Sequence, residues 1–145
     1  DEIRPGNFVF FDLMQVQLKA CPEEAVSLVL AVPVVSKNAE RMEILVHGGA
    51  VHLSKEVVAL DGGTDCFGAV ALAEDNTWSK TVPETYVSSI SQEHGIIKTA
   101  NRAFFDTVEV GQMLCVLPVH SCLTANLMGK YLTTTGEELG TAVRG

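Results

Sequence analysis

The chain has 145 residues, of which 47% are hydrophobic and 19% are charged, as expected for one globular domain with a sizeable core. Its formal net charge is −8 and lysines and arginines form no stripe, which argues against nucleic acid and anionic membranes as partners. The longest apolar stretch, residues 26–35, is too short to span a bilayer. There is no signal-peptide pattern after Asp1, and the cysteines form no CxxC motif, which predicts a reducing, cytoplasmic setting.

Short apolar runs separated by turn residues predict a mainly β domain, a barrel or a sandwich with a few short helices. Asp12 is placed to cap a short helix over Leu13–Ala20. Gly48-Gly49 between two strand-like runs predicts a hairpin. Glu74–Glu84 is expected to be an exposed excursion, and Cys122–Met128 one or two helical turns. Strands are predicted at Asn7–Asp12, Ala25–Ser36, Met42–Val46, Ala50–Leu53, Cys66–Leu72, Tyr86–Gln92 with Ile96–Thr99 as its continuation, Gln112–Leu117 and Tyr131–Thr135.

The tripeptide His120-Ser121-Cys122 is the first candidate for chemistry. Imidazole and thiolate together suit zinc, and two residues at i and i+2 of an extended segment point the same way. Two ligands leave coordination positions open, as in a catalytic rather than a structural zinc site. Taken alone, the triplet favours a buried cysteine beside an ordinary loop histidine, because single His-x-Cys triplets arise easily by chance.

The second candidate is the polar cluster Ser91-Gln92-Glu93-His94-Gly95 at the end of a predicted strand. Glu93 and His94 could relay protons or orient a metal ligand. The alternative is a solvated turn between strands.

Three further features favour structural roles. His47 and His52 bracket Gly48-Gly49 and could face each other, but no carboxylate or cysteine lies close by in sequence to complete a metal site. Lys55 has no sequence context that marks a Schiff-base lysine. The segment Asp61–Asp65 lacks the spacing of an EF-hand and predicts a plain turn.

Three segments, at their mutual spacing, resemble one enzyme family. They are Ile3-Arg4-Pro5-Gly6-Asn7-Phe8-Val9-Phe10-Phe11-Asp12, the segment Ser91–Gly95, and Val116-Leu117-Pro118-Val119-His120-Ser121-Cys122. Together they are similar to the C-terminal domain of the D-serine dehydratase and D-threonine aldolase family, pyridoxal-phosphate enzymes of the alanine-racemase fold type. The resemblance covers the chain from about Glu2 to Met128.

The resemblance implies a division of labour between two domains. An N-terminal (β/α)8 barrel would bind pyridoxal phosphate on a lysine, and residues 1–145 would form the C-terminal β-domain, with the barrel absent from this chain. The β-domain would carry a metal, zinc or another divalent ion, on His120 and Cys122, and the ion would act as a Lewis acid on the β-hydroxyl of a small D-amino acid. Glu93 and His94 match the Glu-His-Gly motif of the family. Active sites shared between subunits imply a homodimer, and the β-domain alone is expected to be inactive.

The residue at position 122 bears on the reaction. A soft cysteine donor favours zinc and a D-serine dehydratase, which forms pyruvate and ammonia; an aspartate would favour manganese or magnesium and an aldolase. The D-threonine aldolase reaction remains an alternative. A stand-alone β-domain used for binding or assembly is the alternative from a different class.

Overall fold

The structure is a computed structural model that describes residues 1–3 and 6–140. Within these residues, a few short helices are interspersed among strands that pair antiparallel, and no helix is long and apolar enough to cross a bilayer. The elements, in chain order, are α1 (Leu13–Gln17), β1 (Leu30–Asn38), β2 (Glu43–His47), α2 (Ala50–Leu53), β3 (Val58–Ala59), β4 (Asp65–Cys66), β5 (Gly68–Glu74), β6 (Thr77–Trp78), β7 (Thr85–Ile90), β8 (His94–Thr99), α3 (Arg102–Thr107), β9 (Met113–Pro118), α4 (Ser121–Met128), β10 (Lys130–Leu132) and β11 (Glu138–Gly140).

Six of these strands close into an antiparallel barrel, which confirms the predicted mainly β fold and selects the barrel over the sandwich. The order is β5-β7-β8-β2-β1-β9, and β9 pairs with β5 to complete the circle. Closure gives the backbone groups of the outermost strands a partner, which is the general advantage of a barrel over an open sheet.

The barrel interior follows from the period-two alternation of its strands. On β1, Leu30, Val32 and Val34 are buried, whereas the residues between them are more exposed. Ile44 and Val46 of β2 alternate in the same way. These side chains meet Val70, Val87, Ile97, Leu114 and Val116 from the other strands in one hydrophobic core.

The N-terminal segment covers the outside of the barrel beside β5 and β9. Cys115 and Leu117 of β9 form a second apolar cluster with Val26 and Ala71, and Phe11, Leu13 and Val16 pack against it. Strand β9 is therefore buried on both faces from Leu114 to Pro118. This packing brings residues 11–14 next to the segment that follows β9.

The strand directions collect the candidate site residues at one end of the barrel. Strands β2 and β9 both run antiparallel to β1, so their last residues, His47 and Pro118, lie at the same end. Strand β8 runs antiparallel to β2 and begins there with His94. We call this end, marked by His47, His94 and His120, the site end.

Two sequence predictions on the β-strands were wrong for identifiable reasons. Ala50–Leu53 is helix α2 rather than the second strand of a hairpin, because the amides of Ala50 and Val51 bond carbonyls of the 91–92 turn. Ile96–Thr99 does not continue the strand before it: the chain reverses at residues 91–93, and β8 pairs antiparallel with β7.

The N-terminal prediction was wrong as well. Asn7–Asp12 forms a turn rather than a strand, in which the amide of Phe11 bonds the carbonyl of Asn7 at 3.2 Å. Phe11 has a φ of 51° there. Arg4 and Pro5 of the same motif lie outside the described residues. The predicted helix after Asp12 is confirmed, and Asp12 caps it by accepting from the amide of Gln15.

The barrel core predicts how two neighbouring isoleucines differ. Ile97 is fully buried in the barrel core, whereas Ile96 points to the other face of β8 and is half-buried. Ile97→Ala should therefore lower the free energy of unfolding by about 2–5 kcal/mol. The matched change Ile96→Ala should cost clearly less in urea unfolding of the same protein. Equal losses would contradict the assigned strand register.

Candidate functional site

His120 and Cys122 lie where strand β9 passes into helix α4. His120 is the N-cap of α4, has an extended backbone (φ −134°, ψ 97°), and makes no side-chain capping bond. Its side chain is half-buried, and that of Cys122, the second residue of the helix, is exposed. Both functional groups are therefore close in sequence at the site end and accessible at least in part.

Ser121, between them, is fully buried and bonded to the N-terminal segment. Its amide donates to Oδ2 of Asp12 at 3.3 Å, and its hydroxyl donates to the carbonyl of Phe11 at 2.6 Å. On the other side of His120, the carbonyl of Val119 accepts from the amide of Met14 at 3.4 Å. The backbone is thus held on both sides of His120.

Glu93 and His94 belong to a tight turn between β7 and β8. The amide of Ser91 donates to the carbonyl of His94 at 2.8 Å, and the amide of His94 donates to Oγ of Ser91 at 3.2 Å. Glu93 is exposed and His94 is half-buried. The interpretation of this segment as a turn between strands is correct, and the turn also carries side chains at the site end.

Two glycines allow helix α2 to approach this turn. A Cβ at Gly49 would lie 2.6 Å from the carbonyl oxygen of Ser91 and 2.6 Å from the amide nitrogen of His94, and a Cβ at Gly95 would lie 2.7 Å from the carbonyl oxygen of Gly48. Real Cβ atoms essentially never come so close to backbone. Gly49 and Gly95 therefore serve close backbone approach, whereas a Cβ at Gly48 would meet the side chain of Val32 at 2.5 Å, and none of the three has the positive φ of a hairpin turn.

This approach gathers three histidines. His47 and His94 are directly opposite each other in the β2–β8 pairing, with ring centroids 5.5 Å apart. The ring of His52, on α2, lies 5.1 Å from that of His47, edge to face. Nδ1 of His52 accepts from the amide of Gly49 at 3.2 Å. We call His47, His52 and His94 the histidine cluster.

The histidine cluster was only partly accessible to sequence reasoning. The positions of His47 and His52 around the Gly-Gly pair predict that they could face each other, but His94 is 42 residues further along the chain than His52 and joins them only through strand pairing. The useful signal would have been a histidine at the last residue of one strand, His47 of β2, and another at the first residue of its antiparallel neighbour, His94 of β8.

Burial at the cluster lowers the pKa of His52 below its ordinary value of 6.5. A charged His47 lowers it further, whereas the carboxylate of Glu93 raises it. His52 is therefore biased toward the neutral imidazole at neutral pH.

Helix α2 also packs against α4, so the histidine cluster and the His120–Cys122 segment lie on neighbouring elements. Among residues 1–3 and 6–140, however, no three or more His, Cys, Asp or Glu side chains are arranged to hold a metal ion. A metal bound by His120 and Cys122 would have to complete its coordination with water, substrate or groups from elsewhere.

Three further sequence predictions can be compared directly with the structure. Lys55 is exposed after α2. Residues 61–64 form a turn before β4, in which the amide of Gly63 donates to the carbonyl of Leu60 at 2.9 Å. All four cysteines, Cys21, Cys66, Cys115 and Cys122, are free.

Comparison with known proteins identifies relatives across most of the chain. The family described as "Putative serine dehydratase domain" matches residues 27–134. D-serine dehydratase of Dictyostelium discoideum is 30% identical over 135 residues, and D-serine dehydratase of Saccharomyces cerevisiae is 28% identical over 137 residues. The matches cover 90% and 94% of the chain but only 32% and 31% of those proteins, so the chain spans about a third of their length.

The solved structure of D-threo-3-hydroxyaspartate dehydratase from Delftia sp. is similar with a TM-score of 0.75 and 26% identity, over 91% of this chain and 36% of that one. The same enzyme has been solved with one histidine replaced by alanine. It has also been solved, in a metal-free form, with a cysteine two positions further along replaced by alanine.

The close approach at Gly49 predicts a large effect of a single methyl group. Gly49→Ala should destabilise the protein by about 1–3 kcal/mol, because the new Cβ would have to displace backbone of the 91–94 turn. Gly6→Ala is the matched control, since a Cβ there has nothing within 4 Å. Urea unfolding measures both; a loss no greater than that of the control would contradict the contact.

The charges around His52 predict opposite effects of two substitutions. Because a charged His47 lowers the pKa of His52, His47→Gln should raise that pKa toward 6.5; because Glu93 raises it, Glu93→Gln should lower it further. NMR titration of the imidazole C–H signals measures both. Shifts in the same direction would contradict the assigned arrangement.

The same pKa gives a pH dependence of stability. Since the folded pKa of His52 lies below the unfolded one, the unfolded chain binds its proton first as the pH falls through 6.5. The contribution of His52 to stability is therefore complete above 6.5 and is lost as the pH falls toward its folded pKa. His52→Gln should show a smaller loss of stability between pH 8 and pH 5 than the parent protein.

Proposed function

The chain belongs to the family of serine dehydratase domains, and we propose that it forms the metal-bearing C-terminal domain of a lyase that deaminates D-serine to pyruvate and ammonia. The observation that supports this most directly is the pair His120 and Cys122 on a rigid segment at the site end, with one residue between them. The matched relatives are dehydratases by name.

The donors at this segment fit a divalent metal. Imidazole and thiolate are preferred zinc ligands. The side chain of His120 makes no capping hydrogen bond to α4, so capping does not occupy its ring nitrogens. The Delftia enzyme supports the assignment, because the histidine and the cysteine replaced in its alanine forms are separated by one residue, as here, and the cysteine form is metal free. We propose His120 and Cys122 as two ligands of a zinc ion.

A zinc ion held there would supply Lewis-acid assistance to departure of the substrate β-hydroxyl. The chain's own contribution is to present two donors and leave the other coordination positions open. This is the arrangement of a catalytic metal, which must admit substrate or water.

A pyridoxal phosphate held by a separate N-terminal barrel domain would supply the electron sink for loss of the Cα proton. Lys55, the lysine considered as a possible Schiff-base residue, is exposed after α2. The relatives are about three times as long as the matched region, which supports a further domain in the intact enzyme. The β-domain alone is therefore expected to be inactive.

Glu93 and His94 are proposed to line the same active site. Their turn lies at the site end and is fixed by bonds within the turn and from α2. A histidine beside a carboxylate is suited to moving a proton near the substrate. The proposal includes a homodimer, in which the β-domain of one subunit completes the site of the other, and a cytoplasmic enzyme, with which the free cysteines agree.

The metal ligands give the decisive test. In the intact protein, His120→Ala and Cys122→Ala should each lower turnover of D-serine by at least about 100-fold, since ligand loss should exceed the 10–100-fold effect typical of residues that only support ligands. Bound zinc, measured by elemental analysis, should fall with activity. Cys21→Ala, another free and partly exposed cysteine, should change neither.

The products decide between reactions. Pyruvate and ammonia from D-serine are expected. Glycine and an aldehyde from D-threonine, without deamination of D-serine, would contradict the dehydratase assignment, and unchanged turnover after both ligand substitutions would contradict the metal role.

A further inference from the structure

We propose that Asp12 and Ser121 are positioning residues for the metal ligands: they form a buried clamp that holds the backbone around His120 and Cys122. This inference rests on the proposed function, because it concerns the same two ligands. The clamp consists of the hydrogen bonds that join residues 11–14 to residues 119–121.

The clamp acts on both sides of His120. Val119 and Ser121 are fully buried, and each is bonded to the N-terminal segment. His120 therefore has neighbours that cannot move without breaking hydrogen bonds inside the protein, where water does not replace them freely. Cys122 follows directly, so the clamp sets the starting point of both side chains.

The carboxylate of Asp12 divides its two oxygens between two tasks. It is only 3% exposed, and Oδ1 accepts from the amide of Gln15 at 3.0 Å, which caps α1. Oδ2 accepts from the amide of Ser121 and from the side-chain amide of Asn7. A helix cap requires one oxygen, so the second oxygen and its two donors, of which the amide of Ser121 is buried, call for another explanation. Holding Ser121 is that explanation.

The backbone of Phe11 is consistent with the same role. Its φ of 51° is unusual for an aromatic residue, and its carbonyl accepts from the hydroxyl of Ser121 at 2.6 Å. Unfavourable backbone conformations persist where surrounding contacts enforce them, often beside functional sites. The conformation of Phe11 is thus one that the bonds to Ser121 help to enforce.

The clamp would fix the positions of the two metal ligands precisely. Zn–N and Zn–S bonds are confined to about 2.0–2.3 Å, and a site whose support is loose loses affinity even when both ligands remain. Helix α1 packs on the outer face of β5 and β9 through Leu13 and Val16. Residues 119–122 are therefore attached to the barrel in two ways: directly, through strand β9, and through the clamp, by way of helix α1 on the outer face of the barrel.

The test separates the clamp from the helix cap. Asp12→Asn keeps one side-chain oxygen for Gln15, but it replaces the other by an amide donor that faces the donor of Ser121. Asp12→Ser likewise keeps a preferred N-cap and removes the second oxygen. In the intact protein, both should weaken cobalt(II) binding by about 10–100-fold, the range for groups that support metal ligands.

Two readouts accompany affinity, and a second variant is measured with them. The absorption spectrum of bound cobalt(II), including its thiolate charge-transfer band, should shift in Asp12→Asn because ligand geometry changes while both ligands remain. The kcat for D-serine should fall at saturating metal. Ser121→Ala, which removes only the bond to Phe11 and disturbs folding less, should shift the spectrum in the same way with a smaller loss of affinity.

A matched control removes a cap elsewhere. Asn101 caps α3 by accepting from the amide of Phe104 at 3.0 Å. Asn101→Ala should lower stability by the same mechanism, yet leave the cobalt spectrum and affinity unchanged. If Asp12→Asn, Asp12→Ser and Ser121→Ala all match the parent spectrum and affinity, the clamp is not a positioning device.

The ligand variants keep this result distinct from failure of the proposed function. If His120→Ala and Cys122→Ala abolish metal binding while the clamp variants change nothing, only the inference is overturned. If the ligand variants also leave metal content and turnover unchanged, the metal site itself is overturned.

Discussion

The pairing of β9 with both β1 and β5 is the constraint on which the candidate site depends. It closes the barrel, and it places a strand that is buried on both faces directly before His120. From Leu114 to Val116 the strand has paired neighbours on both sides and packed side chains on both faces, and Pro118 is still paired with Gly68 of β5, so the end of β9 has little freedom. The segment that carries His120 and Cys122 begins directly after this fixed strand end. From Val119 to Ser121, hydrogen bonds from residues 11–14 hold its backbone in place.

A second constraint, the close approach of backbone at Gly49 and Gly95, builds the other half of the site end. Helix α2 can donate its first amides to the carbonyls of Ser91 and Gln92 only because no Cβ stands between them. The same approach puts His52 against His47 and brings the helix to α4. Two motifs that are far apart in sequence, Gly-Gly and Glu-His-Gly, are thus two sides of one contact.

Local signals predicted those parts of the fold that depend on local physics. The run of Val and Leu over residues 25–36 correctly indicated a strand, although β1 begins only at Leu30, and the capping oxygen of Asp12 correctly indicated α1. Contacts between distant segments were not predictable in the same way: the glycines at 48–49 were interpreted as a turn because their actual partner, the turn at 91–94, is remote in sequence. Helix α3 was missed, although Asn101 offers a capping side chain. For the site, the sequence indicated His120, Cys122, Glu93 and His94 individually, but neither the clamp on Ser121 nor the place of His94 in the histidine cluster.

The histidines at the site end divide into two chemical kinds. Nδ1 of His52 accepts the amide proton of Gly49, so the neutral ring carries its own proton on Nε2 and offers a donor there. Burial keeps the pKa of His52 low and favours that neutral form. A ring in this tautomer cannot give an Nε2 lone pair to a metal without surrendering the bond to Gly49. His120 has no such commitment, since it makes no capping bond. This difference supports the proposal that His120, rather than His52, is a metal ligand, and the bond to Gly49 is consistent with a role of His52 in holding α2 in place.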